Sequence, residues 1–388
     1  MSLIFTLNAG SSSVKFSIYA QGNEPELLLV GQVENMGADA QLVLNSTPKI
    51  RRSIGAVDHA GALAAILQAA GAELGRSKVV GVGHRIVHGG TDFTDPVRLD
   101  DDVITTLAQL NPLAPLHQPY NLQMVEAARS VFPDAVQVGC FDTAFHHGHP
   151  WVNDTFALPR RFYAAGVRRY GFHGLSYDYI TGTLATDRPK LRKSKLVVAH
   201  LGNGASMCAI RDGRSVGSTM GFTALDGLPM GTRCGQLDPG VILYMLGQGH
   251  TPDEIAHILF KESGMKGLSG MTHDMRTLLA SDAPEAQQAV DYYVFRIRRE
   301  LGAMAAILGG LDTLVFCGGI GENAAEIRAR VIDGMDFLGL SINTDANAIN
   351  AEDISAGPTE ILVIPTNEEL VIARAVAKNL STDLKRRT

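Results

Sequence analysis

Short runs of β-branched and other apolar residues alternate along the chain with longer stretches of helical periodicity. The apolar runs predict strands at Ile4–Leu7, Lys15–Tyr19, Val79–Val82, Ala135–Cys140, Leu196–His200, Met207–Ile210, Thr313–Phe316 and Ile361–Ile364. The periodic stretches predict helices at Tyr120–Phe132, Glu254–Lys261, Glu285–Leu308 and Glu368–Leu380. Strands and helices in alternation are typical of an α/β fold.

One apolar stretch, Leu301–Gly321, is almost free of charge and is long enough to raise the question of a membrane span. Asp312 lies inside it, however, and paired glycines interrupt it at 309–310 and 318–319. We therefore interpret it as the end of a buried helix followed by a buried strand.

The length and charge of the chain limit its partners. The chain has 388 residues, which at roughly 100–200 residues per domain predicts two or three domains. It carries 34 Lys and Arg against 40 Asp and Glu, a formal net charge of −6. Nucleic acids and anionic membranes attract basic surfaces, so neither is an expected partner. Any phosphate that binds should belong to a small molecule.

The cysteines and the N-terminus indicate a compartment. The four cysteines are far apart and form no CxxC pair: Cys140, Cys208, Cys234 and Cys317. This arrangement favours cytosolic thiols over a disulfide framework or a zinc site. The segment MSLIFTLNAG has no basic region before its apolar run, which disfavours a signal peptide. We expect a cytoplasmic protein.

Two segments share one design about 190 residues apart. LNAGSSSVKFSI at 7–18 and HLGNGASMCAI at 200–210 each combine an apolar strand, a tight turn of Gly, Asn or Ser, and a second strand. One such hairpin in each half of the chain suggests a duplicated fold with a cleft between the copies. Neither GSSSVK nor GGIGEN has the glycines of a P-loop or a dinucleotide fingerprint. Backbone nests in the hairpins, and a helix N-terminus after GGIGEN, are alternative anion sites.

Four polar residues lie in glycine-rich or strand-end segments: Arg85 in GHRIVHGG, Asp142 in FDTAFHH, His173 in RRYGFHGLS and Arg233 in GLPMGTRCG. Two arginines, an imidazole and a carboxylate suit the stabilisation of charge on a transferring phosphoryl group.

Each of these features has a structural alternative. The arginines can form salt bridges, and Asn8 and Lys15 can cap and solvate a hairpin. His84 and His88, or a cluster of His146, His147 and His149 beside Asp142, can be considered as metal ligands.

At these residues the sequence resembles the acetate and propionate kinase family of the actin, hexokinase and Hsp70-like ATPase superfamily. Nine segments carry the resemblance in the order of the family: LNAGSSSVKFS, GHRIVHGG, PLAPLHQP, FDTAFHH, RRYGFHGLSY, HLGNGAS, MGTRCGQLDPG, GGIGEN and PTNEELVIAR. The resemblance implies two ribonuclease-H-like (actin-like ATPase) domains with a duplicated core and an interdomain active-site cleft. We place the first domain at 1–145 plus 369–388, and it contains the first phosphate hairpin and the acyl-site arginine. We place the second domain at 146–368, and it contains the nucleotide site and the dimer contacts.

The resemblance also implies the reaction and its cofactors. It implies a homodimer that reversibly transfers the γ-phosphoryl group of ATP to acetate, giving acetyl phosphate and ADP. The implied metal is Mg²⁺, with Mn²⁺ as the alternative. Propionate is the alternative acceptor. A phosphatase-like hydrolase and a non-enzymatic ATP-driven binding module are rival interpretations from other classes.

The family motifs carry over residue by residue. The implied metal residues are Asn8 and Glu368. The implied nucleotide residues are Ser11, Ser13 and Lys15 in the first hairpin, His200, Leu201, Gly202, Asn203 and Gly204 in the second, and Asp274, Met275, Arg276, Gly319, Ile320, Gly321, Glu322 and Asn323. The implied catalytic residues are Asp142, His173 and Arg233, and the implied substrate residues are Arg85, Val87, Leu116, His117, Phe172 and Ala224.

Chemistry suggests roles within that set. Because a carboxylate acceptor is already anionic, the main task is to bring two anions into line and spread the transition-state charge. We expect Arg85 to bind the acceptor carboxylate, and Arg233 and His173 to contact the phosphoryl group. Asp142 is a base, a metal-water ligand or an orienter of Arg85.

The chain departs from the common family pattern in a few places. Ala224 stands where many relatives carry Pro, Gln118 where Asn is frequent, and Gln236 where Asp is frequent. Gln236 puts the charge balance around Arg233 in doubt, and Asp238 is a candidate to compensate.

Overall fold

The computed structural model describes residues 1–45, 49–71, 75 and 77–387. The chain forms two compact units. The first comprises Met1–Ala144 and Asn367–Thr388, and the second comprises Phe145–Thr366. The sequence had suggested the boundaries 145/146 and 368/369. Each unit contains its own β-sheet.

The sheet of the first unit has eight strands in the order β5-β4-β3-β2-β1-β6-β8-β7. Their bounds are β1 Ser2–Ala9, β2 Val14–Ala20, β3 Glu26–Glu34, β4 Gly37–Leu44, β5 Ile50–Val57, β6 Lys78–Ile86, β7 Val97–Arg98 and β8 Val136–Phe141. Strand β2 pairs antiparallel with both β1 and β3, whereas β6 pairs parallel with both β1 and β8.

Helices cover this sheet. They span His59–Ala69, Asp101–Ala108, Gln118–Val131 and Glu368–Arg387. The last of these, the C-terminal helix, packs closely on β6 because β6 presents Gly81 and Gly83. A Cβ at Gly81 would lie 2.4 Å from Val376, and one at Gly83 would lie 2.3 Å from Ile372. Any larger residue at either position would push the helix away from the strand.

The sheet of the second unit has five strands in the order β11-β10-β9-β12-β13. Their bounds are β9 Lys195–Leu201, β10 Ala205–Arg211, β11 Arg214–Ser218, β12 Thr313–Cys317 and β13 Glu360–Val363. Strand β10 pairs antiparallel with both β9 and β11, and β12 pairs parallel with both β9 and β13. This is the topology of β3-β2-β1-β6-β8 in the first unit, so the predicted duplicated core is confirmed.

The α-helices of the second unit span Trp151–Asp154, Arg160–Ala164, Gly174–Asp187, Pro239–Gly247, Pro252–His257, Gly264–Ser269, Met275–Leu279, Pro284–Leu308, Gly318–Asn323, Ala325–Ile332 and Thr344–Ala348. The helix Pro284–Leu308 is the longest of them, and it buries Val290, Ile297 and Leu301 along one face. Their spacings of seven and four residues are those of an amphipathic helix.

All eight predicted strands are present, and the four predicted helices are present with shifted ends. Leu301–Gly321 contains the end of the helix Pro284–Leu308, the buried strand β12 and the start of another helix, which confirms the expected helix and strand. Within the described residues, no helix has the length and apolar character needed to cross a bilayer.

Candidate active site

Arg85, near the end of β6, is held by the carboxylate of Asp142, which follows β8. The guanidinium donates from Nε to Oδ1 at 2.8 Å and from Nη2 to Oδ2 at 2.7 Å. It also donates from Nη1 to Oδ1 of Asn8 at 3.4 Å, and its Nε lies 3.8 Å from Oε2 of Glu368. Parallel pairing of β1 with β6 and of β6 with β8 brings three of these residues to one edge of the sheet.

Charge keeps Arg85 protonated. Burial, the largest influence, opposes its charge, but the charges of Asp142, Glu368 and Glu369 and the hydrogen bonds to Asp142 outweigh burial and raise the pKa of Arg85. About a quarter of the side chain, 23%, remains exposed. The bidentate pair with Asp142 aligns the planar guanidinium of Arg85.

Asn8 and Glu368 both contact Arg85 and offer hard oxygen ligands. The charges of three carboxylates, those of Asp142, Glu368 and Glu369, act on this one arginine, so they exceed its single positive charge. Within the described ranges, no three His, Cys, Asp or Glu side chains form a metal-binding group. This donor set fits an ion that takes one or two protein oxygens and completes its shell with phosphate and water, as Mg²⁺ does.

The first hairpin joins β1 to β2. Asn8 pairs with Lys15 across the strands, and the turn closes through a hydrogen bond from the Gly10 N–H to the Ser13 carbonyl at 2.8 Å. Ser11 and Lys15 are exposed and Ser13 is half-buried. The hairpin therefore presents the hydroxyls of three consecutive serines, 11–13, and an ammonium group to its surroundings.

The residues that follow β6 are held by polar side chains of the neighbouring helix Gln118–Val131. The Val87 N–H donates to Oδ1 of Asn121 at 2.9 Å. The buried Gln118 accepts from the His88 N–H at 3.2 Å and donates back to the His88 carbonyl at 3.0 Å. The Gln118 side chain thus fixes the backbone beside Val87, and its Nε2 also donates to the Leu107 carbonyl at 3.3 Å. Leu116 and His117 lie directly before the helix.

Three elements of the second unit meet at Gly204, in the turn between β9 and β10. A Cβ built on Gly204 would lie 3.1 Å from Nε2 of His173 and 3.2 Å from Nη2 of Arg233. One imidazole nitrogen and one guanidinium therefore converge on the glycine hairpin. The loop that carries Arg233 is tied to the hairpin by the bond from the Gly231 N–H to the Asn203 carbonyl at 3.0 Å.

His173 precedes the helix Gly174–Asp187 and adopts a left-handed conformation, with φ of 59° and ψ of 24°. Such a conformation is uncommon for a residue with a Cβ and stores strain. Its Nδ1 lies 2.8 Å from Oγ of Ser206, and its ring stacks on that of His200 with centroids 4.4 Å apart. The ring is only 9% exposed. These contacts leave Nε2 as the edge that faces Gly204.

Arg233 donates from Nη1 to the Ala224 carbonyl at 2.7 Å. This bond places the predicted substrate residue Ala224 beside the arginine. Phe172, a second predicted wall residue, is 2% exposed and immediately precedes His173. In the second unit, two predicted substrate residues therefore adjoin the two predicted phosphoryl-binding residues.

GGIGEN itself forms a helix, Gly318–Asn323, that begins directly after β12, whereas the sequence predicts a helix start after GGIGEN. A Cβ on Gly318, whose φ is +74°, would lie 2.7 Å from the Leu201 carbonyl, so glycine allows the helix to pack on the end of β9. Oε1 of Glu322 accepts from the N–H groups of Gly318 at 2.8 Å and Thr366 at 3.1 Å. Glu322 thus caps this helix, and Asn323 donates to the Gly319 carbonyl at 2.9 Å.

Asp274 caps the helix Met275–Leu279. Hydrogen bonds from the Arg276 side chain and backbone lower the pKa of Asp274 to about 2. Met275 is buried, whereas the Arg276 side chain is 91% exposed. The exposed guanidinium donates to Asp274 from Nε at 3.1 Å and from Nη2 at 2.7 Å.

The departure at Gln236 has a structural partner. Its Oε1 accepts from Arg296 at 2.9 Å and also from Arg299, both on the helix Pro284–Leu308. Asp238 caps the helix Pro239–Gly247 through the Gly240 N–H at 2.7 Å. The two residues are therefore engaged with helices.

The histidines considered as metal ligands have other roles. His84 donates to Gln137 at 2.8 Å, and His88 accepts from the Gly90 N–H at 2.9 Å. His146 and His149 both contact Ser215, and His147 is exposed. Burial lowers the pKa of His84 to about 4, so this imidazole is neutral at pH 7.

Several functional contacts could not be found from the sequence alone. Ser206, which holds His173, and Ser176, which lies 2.8 Å from Nδ1 of His200, are ordinary serines in quoted motifs. Asn121, which holds Val87, lies outside every motif. Their partners are 33, 24 and 34 residues away, so only the tertiary fold reveals these contacts.

Comparison with known proteins identifies the family. The family model described as the acetokinase family matches residues 3–374. Acetate kinases of Methylocella silvestris and Nitrobacter hamburgensis are 52% and 47% identical, each over 96% of this chain and 96% and 95% of theirs. A propionate kinase from Francisella tularensis has a similar structure, with TM-score 0.92 at 35% identity, covering 97% of this chain and 99% of that one.

The acetate kinase structure of Porphyromonas gingivalis has a TM-score of 0.89 at 35% identity, covering 98% of this chain and all of that one, 100%. These relatives have the actin-like ATPase fold, and they use ATP and a divalent metal. The chain belongs to the acetokinase family, whose members are phosphotransferases with a carboxyl group as acceptor.

Proposed function

We propose that the protein catalyses the reversible, metal-dependent transfer of the γ-phosphoryl group of ATP directly to acetate, giving acetyl phosphate and ADP. The observation that carries this proposal is the convergence of His173 Nε2 and Arg233 Nη2 on the glycine hairpin at Gly204. A guanidinium and an imidazole next to exposed backbone N–H groups suit a phosphoryl group whose charge is spread over three oxygens.

Arg85 binds the acetate carboxylate. Asp142 and Asn8 take up three of its five N–H groups within the described part of the chain, and the other two lie on Nη1 and Nη2. These two groups form the fork that a carboxylate accepts in a bidentate manner. Asp142 acts as the orienter of Arg85, because both of its oxygens are bonded to the guanidinium.

Arg233 and His173 stabilise the transferring phosphoryl group. Acetate is already ionised at neutral pH and needs no base, so catalysis consists of alignment and of neutralising the charge on the phosphoryl oxygens. An arginine in this role contributes on the order of 10³–10⁵ in rate. His173 Nε2 donates to an equatorial oxygen.

Asn8 and Glu368 hold the divalent metal, which we propose to be Mg²⁺, with Mn²⁺ as a substitute. When bound, the ion would neutralise part of the negative charge on the phosphates. The protein's own part is to supply two oxygens beside Arg85 and to keep the arginine cationic.

Each unit contributes residues that we assign to the nucleotide: the first hairpin belongs to the first unit, and the second hairpin and the helix Gly318–Asn323 belong to the second. Ser11, Ser13 and Lys15 contact phosphates from the first hairpin, and His200, Leu201, Gly202 and Asn203 from the second. Gly319, Ile320, Gly321, Glu322 and Asn323, with Asp274, Met275 and Arg276, surround the base and ribose. Glu322 serves as a helix cap, which fixes the backbone that the base contacts.

Acetate is preferred to propionate. We assign to the methyl group of acetate the residues Val87, Leu116 and His117 of the first unit and Phe172 and Ala224 of the second. Val87 is bulky and buried, at 8% exposed. The small side chain of Ala224 leaves more space for the acceptor. Because one methylene discriminates between substrates by only about 1–3 kcal/mol, some propionate turnover is expected. Comparison of kcat/KM for the two acids tests the preference; a higher value for propionate would reverse it.

The protein forms a homodimer. The helix Pro239–Gly247 exposes Leu243 at 69% and Tyr244 at 67%, and Phe295 on the helix Pro284–Leu308 is 60% exposed. Exposed apolar side chains of this size mark contact surfaces, and those on Pro239–Gly247 are the candidate interface. The four thiols are typical of a reducing compartment, and we propose the cytoplasm.

Incubation with acetate, ATP and hydroxylamine tests the reaction. We expect acetohydroxamate in equal amount to ADP, and no ADP above background when acetate is omitted. A phosphatase or an ATP-driven binding module would release phosphate without acetate. Arg85→Ala should raise the KM for acetate at least about tenfold, whereas Arg51→Ala, at an exposed arginine of β5, should leave it unchanged. An unaltered KM in Arg85→Ala would contradict the role of Arg85.

A further inference from the structure

A buried chain of polar side chains ends at the carbonyl directly before His173. Oγ of Ser215 lies 2.6 Å from Nε2 of His149 and 3.1 Å from Sγ of Cys208. The same Oγ lies 2.8 Å from Nδ1 of His146, whose Nε2 lies 2.8 Å from the carbonyl oxygen of Phe172. All of these residues belong to the second unit.

The chemistry of the partners sets the direction of the hydrogen bonds. A carbonyl oxygen can only accept, so Nε2 of His146 carries the proton and donates to Phe172. In the neutral ring Nδ1 is then an acceptor, and it receives the hydroxyl proton of Ser215. The Ser215 oxygen in turn accepts from His149 or Cys208. These hydrogen bonds thus select one tautomer of His146, the form protonated at Nε2.

Packing supports the same assignment. Gly171 has a φ of +74°, and a Cβ there would lie 2.5 Å from Cγ of His146, so only glycine lets the imidazole lie against this backbone. His146 is 3% exposed. Burial, and next the neighbouring His149, lower the pKa of His146 to about 3, which keeps the ring neutral.

The Phe172 carbonyl belongs to the same peptide plane as the N–H of His173. The φ of His173, 59°, is the rotation about its N–Cα bond relative to this peptide plane. A plane that is held in place therefore gives that rotation a fixed starting position. A strained conformation of this kind persists only where the surroundings determine it from several sides. Ser206 holds the His173 ring, and His146 holds the peptide plane before it.

We propose that His146 is a positioning residue for His173: its Nε2–H, set by Ser215, holds the Phe172 carbonyl so that Nε2 of His173 points to the glycine hairpin. The proposal rests on the proposed role of His173 in phosphoryl transfer. His146 itself contacts neither substrate nor metal in this scheme.

A double-mutant cycle tests the proposal. His146→Leu keeps the bulk and removes the donor, and it should lower kcat about tenfold with the KM for ATP within about twofold. In a His173→Ala background, the same substitution should lower kcat less than about twofold, because its effect passes through His173. His146→Gln, which keeps an N–H donor, should recover most of the loss. His147→Leu, at the exposed neighbour, is the control and should match the parent.

An equal loss in both backgrounds would overturn the proposal, as would a Gln variant no better than Leu. A second measurement does not depend on turnover. In ¹⁵N-histidine NMR spectra, His146 should be neutral and protonated at Nε2 at pH 6, and Ser215→Ala should shift the ring toward the Nδ1 tautomer. A His146 ring protonated at Nδ1 in the parent would overturn the proposal. If His173→Ala alone kept the parental kcat, the proposed role of His173 in phosphoryl transfer would be wrong. The NMR spectra would still show whether His146 donates from Nε2 to the Phe172 carbonyl.

Discussion

Substitution of Gly204 by alanine probes the convergence of His173 and Arg233 with a single methyl group. The methyl carbon would lie 3.1 Å from Nε2 of His173 and 3.2 Å from Nη2 of Arg233. Both distances are shorter than an ordinary contact, so one or both side-chain tips must move by a few tenths of an ångström. Gly204 does not have a positive φ, so alanine adds no backbone strain.

The expected loss follows from the bonds that the methyl group displaces. A hydrogen bond to a charged group contributes about 1.5–3 kcal/mol, and about 1.4 kcal/mol corresponds to a factor of ten in rate. Displacing one such bond from the transferring phosphoryl group should lower kcat by about tenfold to about a hundredfold. The thermal midpoint should change little, because the substitution leaves no cavity and removes no buried contact.

The assay measures acetohydroxamate formation at saturating acetate and ATP, together with thermal unfolding. Gly182→Ala is the matched control: Gly182 is exposed on the helix Gly174–Asp187, and a Cβ there meets nothing within 4 Å. That variant should keep parental kcat and gain up to about 1 kcal/mol of stability. A Gly204→Ala enzyme with kcat within about threefold of the parent would refute the convergence of the two side chains on the reacting group.

Three further predictions follow from the same structure. Arg233→Ala should remove most turnover while leaving the Kd for ATP within about threefold, by equilibrium binding; kcat within about tenfold of the parent would refute its role. Acid should destabilise the protein. In the folded state the pKa values of His84 and His146 are about 4 and about 3, whereas both side chains protonate near pH 6.5 when the chain is unfolded. Lowering the pH from 7 to 5 should therefore reduce the free energy of unfolding by about 2 kcal/mol for each histidine. Urea unfolding at the two pH values measures this, and equal stabilities would contradict it. Tyr244→Asp should yield a monomer by light scattering, and an unchanged mass would exclude this face as the dimer contact.

The part of the fold that the sequence predicts is the part that is apolar. The runs that form β1, β6, β9 and β12 are buried on both faces, which gives continuous apolar stretches. Strand β5, in contrast, has no buried residue in its pattern, and β7 has only two residues. Neither strand has an apolar pattern from which the sequence predicts it. Both form because neighbouring strands offer hydrogen-bond partners.

The same contrast applies to the candidate site. The motifs identify Arg85, Asp142, His173 and Arg233 because charged residues beside glycines are conspicuous in a sequence. The contacts that orient them are inconspicuous. The left-handed backbone of His173 is one example, since no local pattern predicts it and its supports come from distant elements.

The stereochemical course at phosphorus tests the central claim most directly. ATP made chiral at the γ-phosphorus with three oxygen isotopes would be incubated with acetate, and the configuration of the acetyl phosphate determined. Direct transfer between two aligned substrates predicts inversion. Retention would show that the phosphoryl group first passes to a group on the protein, and it would contradict an account in which Arg85, Arg233 and His173 only bind, align and neutralise.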